Sequence, residues 1–91
     1  DAYNANPSSM TASLNTLSAL PGRKIAVLGD MLELGTEEAR YHAEVAAHAG
    51  NLGLDLVVLV GPRMGTCGPC VEGAGEVWSH ADPADAAAHL R

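Results

Sequence analysis

The stretch that most limits the possible folds is Leu54 to Val60, in which Val57, Val58, Leu59 and Val60 follow one another without a polar residue. Unbroken rather than alternating hydrophobicity marks a strand covered on both faces, the situation of an inner strand in a parallel sheet. A second run, Lys24-Ile25-Ala26-Val27-Leu28-Gly29, reads as another buried strand, bounded by Pro21-Gly22 and Gly29. Glu76-Val77-Trp78 is a weaker third.

Helical segments separate these runs. Asn6-Pro7 is a cap followed by proline at the first helical position, where the missing N–H costs nothing. Met10, Leu14 and Leu17 then share a face, and Pro21-Gly22 stops the helix. Thr36 is placed to cap the next helix, with Glu37 and Glu38 in its first turn, where the dipole favours negative charge. The inner face of that helix reads as Ala39, His42, Val45, Ala46 and Ala49, ending at Gly50. Residues Pro62 to Gly73 read as a third helix despite their glycines and Pro69, and Asp82-Pro83 opens a fourth through Leu90. Alternation of this kind predicts an α/β fold, a three-layer sandwich with a mostly parallel sheet. Ligands on such sheets bind beyond the carboxyl ends of the strands, so the residues after Leu28 and Val60 are the ones to watch.

Composition narrows the function classes. The chain has 91 residues, enough for one domain spanning 1–91, and its hydrophobic residues are largely Ala, Val and Leu, with no Phe. Such small side chains suit close packing of helix on sheet. Eleven acidic against five basic residues leave a net charge of −6, which argues against nucleic acid as a partner, since phosphates need Lys and Arg. No apolar stretch approaches the roughly 20 residues that cross a bilayer, so no membrane insertion is expected. Two cysteines cannot make a disulfide framework, and Cys67 and Cys70 lack a second ligand pair for zinc, so no metal site is expected. A chain starting at Asp1 rather than Met reads as a piece of something longer.

The most specific stretch is Asp1-Ala2-Tyr3-Asn4-Ala5-Asn6-Pro7-Ser8-Ser9-Met10. It delivers a carboxylate, a phenol and two amides to a helix N-terminus, whose free N–H groups attract anions such as phosphate. A plain helix cap at Asn6-Pro7 would explain the same residues without a ligand. The string resembles the start of the C-terminal domain of the Mur ligases, in particular those that add D-alanyl-D-alanine. Ile25-Ala26-Val27-Leu28-Gly29-Asp30-Met31-Leu32-Glu33-Leu34-Gly35 is similar to a second motif of that family, and His42 with Val45 to a third.

The resemblance implies one domain of a three-domain, ATP-dependent amide ligase of peptidoglycan synthesis, working in the cytoplasm. The whole enzyme would use ATP and Mg2+ to add D-Ala-D-Ala to UDP-MurNAc-tripeptide. The N-terminal domain would hold the UDP-sugar, and the central domain the phosphate loop and magnesium ligands. This domain, Rossmann-like, would close over the nucleotide and help bind the dipeptide. Neither a Gly-x-x-x-x-Gly-Lys-Thr pattern nor any Lys besides Lys24 occurs here. The 91 residues alone are thus expected to be inactive and to bind no cofactor tightly. The family's later Lys-Gly-Ser-Arg-like segment is missing too, so the sheet is expected to be truncated at its C-terminal end, with an edge prone to self-association.

By the same resemblance, Asp1, Tyr3, Asn4 and Asn6 form the nucleotide-binding loop. Asp30, Met31 and Glu33 belong to a substrate loop facing the cleft, and His42 supports that loop. Read from its own residues, the loop could equally fold back on its domain, and His42 could be a partly buried core histidine with one hydrogen bond. Two other functions fit parts of the chain. Cys67-Gly68-Pro69-Cys70 matches a thioredoxin-like redox motif, although Thr66 stands where such sites carry Trp. A docking module without nucleotide affinity is the other.

Overall fold

The computed structural model describes residues 6–81. Asp1, Tyr3, Asn4 and the helix expected from Asp82 lie outside them. Helix α1 (Pro7–Ser18) begins with a reciprocal cap: the Asn6 side chain accepts the Ser9 N–H at 2.8 Å, and the Ser9 hydroxyl accepts the Asn6 N–H at 3.1 Å. Two orphan donors are thereby satisfied, with proline at the first helical position. Leu14 is buried, and Met10 and Leu17 pack beside it.

Strand β1 (Ile25–Leu28), helix α2 (Glu38–Gly50), strand β2 (Leu56–Val60) and strand β3 (Glu76–His80) follow. The sheet order is β1-β2-β3, with both pairings parallel. In register, Leu28 lies opposite Leu59 and Val58 opposite Trp78. The unbroken run therefore sits in the centre, where both neighbours satisfy its backbone. Alternate residues Ala26, Leu28, Val57 and Leu59 share one core with Leu14 of α1 and Val45, Ala46 and Ala49 of α2. Fully burying a side chain such as Leu59 contributes about 2 kcal/mol.

Four local expectations need correction. Strand β1 is not buried on both faces: Ile25 and Val27 are 45% and 57% exposed, because the helices pack on the face that carries Ala26 and Leu28. Thr36 does not cap α2. It lies inside a 3-10 turn, Gly35–Glu37, that feeds the helix, and Glu37 holds the cap position without its side chain accepting from the helix N-terminus. Ala39 points outward rather than into the core. Finally, the segment after β2 is not a helix but two short 3-10 turns, Met64–Thr66 and Gly68–Cys70. Gly65, Gly68 and Gly73 lower helix propensity there, and Pro69 lacks the N–H an α-helix would need.

Gly50 closes α2 for a packing reason. A Cβ at this position would meet the Glu72 backbone N at 2.6 Å, so only glycine lets the chain before β3 pass the helix end.

Candidate functional site

Because β1 and β2 are parallel neighbours, their C-terminal ends release two segments side by side, Gly29-Asp30 and Gly61-Pro62-Arg63. Asp30 reaches across this gap. Its carboxylate accepts the Met64 N–H at 2.8 Å and the Arg63 N–H at 3.1 Å. The Arg63 guanidinium adds an ion pair at 3.1 Å and continues through Nε to Glu38 of α2 at 3.0 Å. One carboxylate thus ties together the exits of two strands and the start of a helix.

Burial alone would raise the pKa of Asp30. The hydrogen bonds from Met64 and Arg63 outweigh it and hold the carboxyl below the usual carboxylate range. Hydrogen bonds to Asp30 and Glu38 in turn hold Arg63 above its ordinary value. Gly61 makes room for the arrangement: its φ is +114°, and a Cβ there would collide with the Asp30 carboxylate.

The segment between Asp30 and α2 is held from below by His42, which is 1% exposed. The Met31 N–H donates to His42 Nε2 at 2.9 Å, and Nδ1 lies 2.7 Å from the Glu38 carbonyl. Those partners assign the tautomer: Nδ1 carries the proton and Nε2 accepts. The ring therefore makes two hydrogen bonds, one more than the sequence suggests.

The three residues assigned to a substrate loop face different ways. Asp30 turns inward to the Arg63–Met64 turn. Met31 is completely buried in the core, so its side chain anchors the loop instead of lining a cleft. Glu33 is exposed and adopts φ +62°, the left-handed region that non-glycine residues seldom occupy, and Leu32 beside it is 65% exposed. The surface offered outward is consequently Leu32 and Glu33, mounted on a strained turn. Asn6 caps α1, as described above. Among the described residues, no three His, Cys, Asp or Glu side chains come together as a metal-binding group.

The sequence marked the position after Val60, Gly61, as one to watch and put Glu38 in the first turn of α2, but it joined neither of them, nor Arg63 and Met64, to Asp30. The one available signal was a glycine directly after each strand, at Gly29 and Gly61, which marks where the backbone turns out of the sheet. Cys67 and Cys70 do not form a thioredoxin-like site. No helix follows to stabilise a thiolate, only a three-residue 3-10 turn, and burial pushes the Cys67 thiol up.

Residues 1–91 match the family described as Mur ligase, glutamate ligase domain. The UDP-N-acetylmuramoyl-tripeptide--D-alanyl-D-alanine ligase of Escherichia coli K12 is 46% identical over 63 residues, 69% of this chain and 14% of that protein. The enzyme of the same name from Bacillus subtilis 168 is 51% identical over 49 residues, 52% of this chain and 11% of that protein. A crystal structure of MurF from Acinetobacter baumannii matches with a TM-score of 0.80 and 34% identity, covering 97% of this chain and 19% of that one. The chain thus spans less than a fifth of the length of these relatives. With a match that runs its full length, the chain belongs to the Mur ligase family, as its C-terminal, glutamate ligase domain.

Proposed function

We propose that this chain acts as the C-terminal domain of a cytoplasmic, ATP-dependent ligase that adds D-alanyl-D-alanine to UDP-MurNAc-tripeptide in peptidoglycan synthesis. The observation that carries this reading is the braced turn at the carboxyl end of β1. It presents Leu32 and Glu33 where open α/β sheets take ligands, in a chain that resembles enzymes of that name. Bound ATP and Mg2+ would supply the phosphoryl group that activates the tripeptide carboxylate. The chain's own part is to position. Asp1, Tyr3 and Asn4 meet the nucleotide when the domain closes, and Asn6 caps the helix that follows them in sequence. The turn held by His42 and Asp30 faces the dipeptide or the central domain. The magnesium ligands and phosphate loop come from the other domains.

The test is ligation by the complete enzyme. Purified full-length protein given UDP-MurNAc-tripeptide, D-Ala-D-Ala and ATP with Mg2+ should form the UDP-MurNAc-pentapeptide with release of phosphate, and the 91 residues alone should not. No product from the complete enzyme overturns the reading. Within it, Asp1→Ala should lower kcat/KM for ATP by about ten- to a hundredfold, the worth of a charge-assisted hydrogen bond made only on closure. Early melting with normal kinetics would instead make the opening motif structural.

A further inference from the structure

Cys67 and Cys70 take no part in holding Asp30, yet the fold places them in a defined relation. Cys67 ends the first 3-10 turn after β2 and caps the second, whose last residue is Cys70. The Cys70 N–H donates to the Cys67 carbonyl at 2.9 Å. A turn closed in this way advances about 2 Å per residue and brings side chains three apart onto the same side. The two Cα atoms are then separated by about 6 Å, within the roughly 4.4–6.8 Å that a disulfide spans. Both thiols are free.

Their surroundings differ. Cys67 is 7% exposed and donates its S–H to the Arg63 carbonyl at 3.7 Å. It lines a cavity of about 120 Å³ with Glu38, Ala39, His42, Arg63 and Thr66. Cys70 is half-buried, the less enclosed of the two thiols. Burial raises the Cys67 thiol's pKa; the Thr66 hydrogen bond opposes this and the neighbouring Cys70 adds to it.

We propose that Cys67 and Cys70 are a redox modification site that closes to an intrachain disulfide by exchange with a small-molecule disulfide such as oxidised glutathione. The Cys70 thiolate attacks one sulfur of the reagent, forms a mixed disulfide and expels one glutathione thiolate. The Cys67 thiolate then attacks the Cys70 sulfur and expels the second. Two protein S–H bonds are lost, one S–S bond forms, and the two electrons and two protons leave as two molecules of reduced glutathione. Closure withdraws the S–H donor from the Arg63 carbonyl, which keeps the Thr66 hydroxyl at 2.8 Å, and it staples the turn behind the Asp30 brace. The inference stands on this geometry and does not depend on the ligase reading.

The experiment equilibrates the full chain in glutathione buffers of increasing oxidised fraction, quenches with acid, alkylates and weighs the peptide containing both cysteines. The expected result is joint loss of both alkylatable thiols in a single two-electron transition. Cys67→Ser should stop at a glutathione adduct on Cys70, and Cys70→Ser should remain unmodified because its remaining thiol is buried. The proposal is overturned if the wild type keeps both thiols at the most oxidising poise, halts at the adduct or cross-links between chains. Equal glutathionylation of the two variants overturns it as well.

Discussion

Asp30 Oδ1 accepts the backbone N–H of Met64 at 2.8 Å, and this contact joins the exit of β1 to the exit of β2. Thirty-four residues of chain separate the two groups, yet the parallel register makes them neighbours. A short carboxylate here does the work of a cap for a turn that has no N-terminal cap side chain of its own.

Replacing Asp30 tests that role. Asp30→Ala leaves two backbone N–H groups without their acceptor and the Arg63 guanidinium with Glu38 alone, and should cost about 2 kcal/mol of unfolding free energy. Asp30→Asn keeps an acceptor but loses the charge, so it should cost less. Urea melts of the three proteins at neutral pH give the order, and equal stabilities would show that the brace contributes nothing.

The same carboxylate sets an acid limit. Its folded pKa lies below the unfolded value of about 3.9, so its contribution is fully present above that value. It is lost as pH falls through the lower, folded pKa. The stability gap between wild type and Asp30→Asn should therefore be constant from neutral pH down to about pH 5 and shrink below about pH 4. A gap that widens on acidification would contradict the sign.

Gly61→Ala should be among the most damaging single-methyl additions in the chain. The new Cβ meets the Asp30 carboxylate, and the residue must hold φ at +114°. Strain of this kind costs of order 1–3 kcal/mol before any loss of the Asp30 hydrogen bonds. Thermal denaturation of Gly61→Ala beside the double variant with Asp30→Ala separates the two contributions. Removal of the carboxylate should rescue part of the loss.

His42→Ala leaves the Met31 N–H without its acceptor and opens a cavity beneath the loop. The expected cost is about 2–4 kcal/mol. Amide hydrogen exchange reports the site directly: the Met31 amide should lose protection well beyond the global change in stability. If Met31 merely tracks the rest of the molecule, the histidine is a packing residue and no brace.

Asn6→Ala removes the side-chain acceptor for the Ser9 N–H at the start of α1 and should cost about 1 kcal/mol. Asn6→Asp keeps the acceptor and should restore most of it. Melting temperatures of the pair decide whether the cap or the amide's other contacts carry the effect.

Local rules suffice for much of this chain. The unbroken run at Val57–Val60 had one stable location, the centre of a parallel sheet, because no other position buries both faces and pairs both backbone edges. Asn6-Pro7 and the Met10, Leu14, Leu17 spacing specify α1 through capping and a 3.6-residue period, which depend only on near neighbours. Asp30 was legible because it follows a strand, where ligand loops belong, whereas His42 read from its helix face as a core histidine and became a support of the loop only through the family resemblance. Their partners were not. Arg63, Glu38 and Gly61 meet Asp30 only once β1 and β2 are in register, and long-range contacts leave no periodic trace in sequence. The turns after β2 went the same way: the segment from Pro62 to Gly73 read as a helix despite its glycines and Pro69, but Met64, Cys67 and Val71 reach the core from two 3-10 turns and their ends instead. Sequence alone thus determined which segments enter the core and in what order. The tertiary structure decided which side chains meet at the strand ends, since that follows from the pairing of distant backbones rather than from any residue's own preference.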